Sequence, residues 1–229
     1  MKQSRASKAA ADKTRPVLTI SSKNYSSWSL RGWLLCQLAG LEVEEQVASL
    51  DDRSNRAELL LLAPSVLVPR LDQDGVSVWD TLAIAEYLAE RYPEAELLPK
   101  DRIARAHCRS ISGEIHAGFY NLRSALPMNL KARYQNFKIF AGARGDIERI
   151  QTIWAECLDA WGGPFLFGKP TMADAMFAPV CTRFVTYDVP ISKVTKAYCD
   201  TILSWPPMVK WIEDARNEPE EVEELDMEF

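Results

Sequence analysis

The sequence predicts an α+β protein in two parts, a mixed βαβαββα half followed by a half built only of helices. Three observations carry this. From Pro16 to about residue 98, short β-branched or alternating runs take turns with segments of helical period. An Asp74-Gly75 pair between two apolar runs marks a hairpin within that stretch. Beyond Pro93 and Pro99 the apolar residues recur at helical spacing and no segment has strand quality.

The elements follow in order. Val17-Leu18-Thr19-Ile20 is a short strand, with Pro16 tolerated at its first position. Ser29 to Ala39 carries Leu30, Trp33, Leu34 and Leu38 on a helical face and stops at Gly40. Val43 to Leu50 alternates more loosely and reads as a second strand. Ser54 can cap a helix running to Leu62, which Pro64 ends. Val68–Leu71 and Val76–Trp79 are the arms of the hairpin. Leu82, Ile84, Ala85 and Leu88 then mark the buried face of a helix.

In the second half, Ile103, Ile111, Ile115, Phe119, Leu122 and Leu126 fall on one helical stripe ended by Pro127. Ile147, Ile150, Trp154, Cys157, Leu158 and Trp161 form another, closed by Gly162-Gly163. Thr171 and Asp174 have capping-box spacing, with Asp in place of the usual Glu. The helix they open is apolar nearly all round, which places it inside a bundle, and Pro179 within it should kink or shorten it. Val194–Leu203 and Met208–Arg216 supply two more helices, split by Pro206-Pro207. The domain expectation is a disordered tail over 1–15, a mixed domain over 16–98, a linker at 99–102, a helical domain over 103–217 and a solvated acidic tail over 218–229.

Composition excludes several classes. A net charge of −5 offers no basic face for nucleic acid. The longest apolar runs, such as Ala57 to Ala63 broken by Glu58, fall far short of a membrane span. Five cysteines show no C-x-x-C spacing, and His107 and His116 are the only histidines, so neither disulfides nor a metal site is expected. These features read as a metal-free cytoplasmic protein.

Chemistry concentrates between Val68 and Tyr92. A backbone edge beside Pro69 and an anion-ready helix start at Asp80-Thr81 stand one hairpin apart. Such an arrangement can hold a small peptide at both ends. On the residues alone, Asp80-Thr81 reads equally as a plain helix cap, whereas Ser26-Ser27 reads first as turn and cap residues.

These residues, Val68-Pro69, Asp80-Thr81-Leu82-Ala83-Ile84, Ser26-Ser27 ahead of the first helix and Thr171-x-x-Asp174, together resemble the cytosolic glutathione S-transferases over nearly the whole chain after the tail. Asn24 to Arg31 resembles the serine motif of the zeta and tau classes. The resemblance implies a thioredoxin-like N-terminal domain, an all-α C-terminal domain, glutathione as co-substrate and a homodimer. Counting back from Gly40, it puts the catalytic serine at Ser26, with Ser27 its rival and neighbour in binding. It implies a cis bond at Pro69 that lets Val68 pair with the peptide, with Asp80 and Thr81 holding the γ-glutamyl end.

A pocket for a small apolar electrophile would draw on Tyr25, Trp28, His116, Tyr120 and Arg123. Leu67 stands where the family often has Lys or Gln, which removes one ionic contact. The activity implied is conjugation of the glutathione thiolate to that electrophile. The alternatives are a glutathione-dependent isomerase like the maleylacetoacetate isomerases, and a non-catalytic binding module on the same fold.

Overall fold

A computed structural model describes residues 15–48 and 67–219 of the chain. The expected helix from Ser54 to Leu62, the tail before residue 15 and the acidic run beyond residue 219 lie outside the described residues.

The first half folds as β1 (Val17–Ile20), α1 (Ser27–Leu38), β2 (Glu44–Val47), β3 (Arg70–Gln73), β4 (Val76–Trp79) and α2 (Thr81–Arg91). Its sheet has the order β2-β1-β3-β4, with β1 parallel to β2 and antiparallel to β3, and β3 antiparallel to β4. Asp74 and Gly75 both take positive φ, 50° and 79°, as a two-residue hairpin turn of the right twist demands. Gly40, at φ 66°, closes α1: its N–H reaches the Gln37 carbonyl while Leu41 N–H reaches that of Cys36. That pair of bonds is the Schellman pattern, which satisfies carbonyls the helix end would leave open.

A 3-10 turn at Pro93–Ala95 leads into the helices α3 (Arg102–Ala117), α4 (Tyr120–Ala125), α5 (Ala141–Trp161), α6 (Met172–Thr186), α7 (Lys193–Ser204) and α8 (Pro206–Arg216). The stripe expected to run unbroken from Ile103 to Leu126 is two helices. Gly118 leaves helical geometry at φ −103°, ψ −166°, and Phe119 adopts a left-handed φ of 58°. Phe119 is buried there, and the stripe resumes at buried Leu122. Ile103 sits in the first turn of α3, 71% exposed, and takes no part in the core. Pro206 opens α8 instead of separating it from α7, because a proline at the first helical position gives up only a donor that has no partner.

α6 is buried at every position except Val185, as its nearly all-apolar composition requires. Pro179 lies inside it without ending it. A proline there removes a donor and crowds the preceding turn. The carbonyl that loses its helical donor is that of Ala175, four residues back. On the same stretch the carbonyls of Met176 and Pro179 accept from Arg31 Nε at 2.8 Å and Arg183 Nη1 at 3.2 Å. Burial first, and then neighbouring arginine charges, pull the Arg31 and Arg183 pKa values down, Arg183 to about 10.

At the start of α6, Asp174 takes the Thr171 N–H at 2.8 Å, the Thr171 hydroxyl at 3.0 Å, the Leu166 N–H at 3.1 Å and the Tyr198 hydroxyl at 3.0 Å. This is the capping box read from Thr171 and Asp174, extended to a loop and to α7. Burial pushes the Asp174 carboxyl up to about 6 against those four bonds. Burial likewise raises the thiols of Cys36, Cys108 and Cys157 to about 12, which keeps them protonated and unreactive.

Replacing Asp174 by Ala should cost about 3 kcal/mol or more in urea unfolding, because four donors lose one acceptor group. Its folded pKa of about 6 stands above the unfolded 3.8. Its contribution is therefore complete below pH ~4 and is lost as the pH rises through about 6. Between pH 7.5 and pH 4.5, wild type should gain on Asp174→Asn by about 1–2 kcal/mol in the same assay.

Candidate active site

The site is assembled where β3, the start of α1 and the start of α2 meet the end of α3. Val68–Pro69 is a cis peptide, as the resemblance implied. Among the described residues the backbone N–H and C=O of Val68 have no partner. Pro69 is seated against Gly32 of α1: a Cβ on that glycine would stand 2.6 Å from both Cβ and Cγ of the proline ring. Gly32 is thus a site-building residue that sequence reasoning missed. Its one signal was a glycine inside an otherwise strong helical pattern, which marks a close approach as often as a weakness.

At α2 the backbone of Asp80 is held at φ 75°, ψ 138°, a conformation that costs a non-glycine residue roughly 1–3 kcal/mol. Its side chain offsets this. Oδ1 accepts from Leu82 N–H at 2.8 Å and Ala83 N–H at 3.3 Å, and Asp80 O accepts from Ile84 N–H. Of the first-turn donors, the Thr81 N–H alone is left without a partner among the described residues. It stands at the positive end of the helix, which is the arrangement that binds a carboxylate.

Asp80 Oδ2 faces Nε2 of His116 at 3.1 Å, and Nδ1 of the same ring lies 3.2 Å from the Thr81 hydroxyl. In the neutral ring, Nε2–H donates to the carboxylate and Nδ1 accepts from Thr81. One histidine at the end of α3 therefore ties both residues of the α2 start to the helical half. Trp28 meets that imidazole edge to face at 5.1 Å. Trp28, Leu67, Val68, Pro69, Asp80, Thr81, His116 and Ala117 line a single cleft of about 370 Å³.

Not every expected site residue joins them. Ser26 caps α1, where its oxygen accepts from Ser29 N–H at 3.2 Å and its hydroxyl donates to Ser29 Oγ at 2.9 Å. Ser27 is the buried first residue of α1. Both precede Trp28 directly but are not among the residues lining the cleft, and neither is Tyr25. Tyr120 is 77% exposed at the start of α4 and faces solvent.

Arg123 reaches back to the carbonyls of Ile115 and His116, closing the C-terminal end of α3 as a cation should. Its guanidinium lies 5.0 Å from the Trp28 ring and that of Arg31 lies 4.5 Å from it. Arg123 therefore supports the cleft wall from behind and does not line the cleft. Among the described residues no group of three or more His, Cys, Asp or Glu could hold a metal ion, and no helix is long and apolar enough to cross a membrane.

Comparison with known proteins agrees with this geometry. Residues 25–91 match the family described as glutathione S-transferase, N-terminal domain, and residues 129–214 match its C-terminal domain. The maleylacetoacetate isomerase of Rhizobium meliloti (strain 1021) is 31% identical over 182 residues, 73% of this chain and 81% of that protein. A probable maleylacetoacetate isomerase of Caenorhabditis elegans is 33% identical over 51% of this chain, an alignment spanning 53% of the nematode protein. A glutathione transferase homolog from Burkholderia GL BGR1, solved with bound glutathione, superposes with a TM-score of 0.69. It has 23% identity and covers 90% of this chain and all of the other.

Gly32→Ala separates two effects. In a free helix the change is favourable by about 1 kcal/mol. Here the added methyl meets a proline ring that cannot yield, and overpacking of this kind costs about 1–3 kcal/mol. The expected outcome is a lower unfolding midpoint together with poorer retention on immobilised glutathione.

Proposed function

The chain belongs to the glutathione S-transferase family, and on that footing we propose that it is a glutathione-dependent cis–trans isomerase acting on an unsaturated keto acid. The observation that carries the reading is the cleft itself. Val68, whose backbone N–H and C=O have no partner among the described residues, and Thr81, whose N–H has none, line one cleft of a size suited to an extended tripeptide. The choice of isomerisation over net conjugation rests on two relatives named maleylacetoacetate isomerase, which this chain matches over 82% and 81% of their length.

In this reading glutathione adds to the sheet margin as a short strand, its cysteinyl amide pairing with the N–H and C=O of Val68. The Thr81 N–H takes the γ-glutamyl carboxylate. Asp80 Oδ2 accepts from the adjacent ammonium beside His116. The thiol then lies toward the start of α1. A free thiol has a pKa of about 8.5, so little nucleophile exists at neutral pH. A hydrogen bond from the Ser26 hydroxyl, near the positive end of α1, favours the thiolate. Lowering the thiol pKa by one takes about 1.4 kcal/mol and raises the nucleophile nearly tenfold.

The Ser26 proton that now points to Ser29 turns to the sulfur. Ser29 Oγ, itself held by Ser21 N–H at 3.0 Å, can then donate to Ser26 Oγ in return. The thiolate adds to one carbon of a cis C=C conjugated to a carbonyl: the S–C bond forms and the π pair moves onto the carbonyl oxygen. The former double bond is now single and rotates. Collapse of the enolate expels the thiolate and leaves the trans alkene, with glutathione unchanged.

The homodimer is carried forward in the same reading. Its support is the edge strand β4, where the large apolar side chains of Val76 and Trp79 are exposed.

Incubation with maleylacetoacetate and catalytic glutathione should yield the trans isomer with no loss of free thiol. Accumulation of a thioether with stoichiometric thiol loss would make the protein a conjugating transferase instead. Ser26→Ala should lower turnover about tenfold or more and abolish the thiolate absorbance of bound glutathione. If Ser27→Ala does so and Ser26→Ala does not, the neighbouring hydroxyl is the donor.

A further inference from the structure

We propose that Glu218, at the far end of the chain, is a positioning residue for the thiolate-binding serine and acts through Ser22. The inference rests on the reading that Ser26 meets the sulfur.

Glu218 opens the acidic run expected to be a solvated tail, yet its carboxylate is enclosed by the turn that leads into α1. Oε2 accepts from the Ser22 hydroxyl at 2.7 Å and from Asn24 N–H at 2.9 Å, and Oε1 accepts from Lys23 N–H at 2.8 Å. Two successive backbone N–H groups and a hydroxyl converging on one point form a concavity of the kind that binds anions. Here the chain's own carboxylate fills it. The Glu218 carbonyl is in turn held by Lys131 Nζ at 2.6 Å.

Ser22 passes the constraint on. Its oxygen accepts from Asn24 N–H at 3.1 Å and Tyr25 N–H at 3.2 Å, and its carbonyl accepts from Ser26 N–H at 3.0 Å. With those two donors on its oxygen, the Ser22 hydroxyl sends its proton to Glu218. Two hydrogen bonds, Glu218 to Ser22 and Ser22 to Ser26, thus join the C-terminal segment to the backbone of the serine.

The rest of the turn is anchored to the same end of the molecule. Trp211 Nε1 donates to Lys23 O at 3.0 Å, and Lys23 Nζ bonds Asp214 at 2.8 Å and Glu45 at 2.5 Å. Burial opposes the Lys23 charge, but those two carboxylates outweigh it and raise its pKa. Glu218 is the member of this set that touches Ser22, so it sets where Ser26 points and not merely whether α8 is docked.

The test compares Glu218→Ala, Ser22→Ala and the double variant. Three quantities are read: kcat, the half-saturating glutathione concentration, and the thiolate absorbance of saturating bound glutathione at pH 7. Each single change should reduce kcat and the thiolate signal about fivefold to tenfold while half-saturation moves less than about twofold. The double variant should be no worse than the poorer single, because both changes cut the same chain of bonds. Glu218→Gln, which keeps one acceptor oxygen, should recover part of the signal.

An unchanged thiolate signal in both single variants overturns the proposal, as does a rise in half-saturation with kcat intact or strict additivity in the double. Should Glu218→Ala fail to fold, Ser22→Ala, which leaves the two backbone bonds to Glu218 in place, decides alone. If wild type binds glutathione but shows no thiolate, the reading of Ser26 falls and the positioning role falls with it. If wild type shows the thiolate and the variants keep it, only the role of Glu218 is lost.

Discussion

Helix α1 is held from two sides at once, and the site exists because neither side can move without the other. Within its own half it lies on β1 and α2, with Gly32 bare against Pro69. On the opposite side it packs on α6 and α8 of the helical half, with Arg31 reaching the Met176 carbonyl. A helix buried this fully has little rotational freedom, since close-packed interiors transmit displacement instead of absorbing it. The serine at its start and the proline at its waist are therefore fixed in one frame.

The second frame is the start of α2, and here accounting for backbone donors explains the chemistry. A helix begins with four N–H groups that have no partner inside it. Asp80 answers those of Leu82 and Ala83 with one carboxylate oxygen and that of Ile84 with its carbonyl, so that among the described residues the N–H of Thr81 is left for a ligand. Its other oxygen goes to His116, so the acid is at once cap, interdomain tie and candidate ammonium acceptor. The strained backbone of Asp80 is the cost of aiming one short side chain in both directions. A glycine at this position would relieve the strain and lose every one of those bonds.

Charge is distributed differently on the two flanks of the cleft. Behind Trp28, the guanidiniums of Arg31 and Arg123 and the nearby Arg183 are satisfied largely by carbonyls at helix ends and at the Pro179 turn. Carbonyl dipoles do not neutralise a cation, so burial depresses the pKa values of all three, and repulsion from neighbouring arginines adds to it at Arg31 and Arg183. Ahead of α1 the balance reverses: Glu218, Asp214 and Glu45 gather around Lys23 and the N–H groups of its turn. The start of α1 is thus framed by acids on one flank and arginines on the other.

Much of this was legible in the chain. The hairpin at Asp74-Gly75, the stop at Gly40, the capping box at Thr171 and Asp174 and the all-apolar α6 are each written in a few neighbouring residues, because turn chemistry and hydrophobic period act locally. Val68-Pro69 and Asp80-Thr81 were also readable as one peptide-holding pair, since only a hairpin separates them. The break at Gly118 was not, because the apolar stripe continues on both sides of it and the left-handed Phe119 is chosen by the core it enters.

Other features needed the closed chain: Gly32 beneath Pro69, His116 across Asp80 and Thr81, Arg123 behind Trp28 in place of the cleft itself, and Glu218 in the turn before Ser26. Each joins residues on separate elements, in one case nearly two hundred positions apart. A side chain's partner at that range is set by how elements pack, and periodicity along a single element carries no record of it.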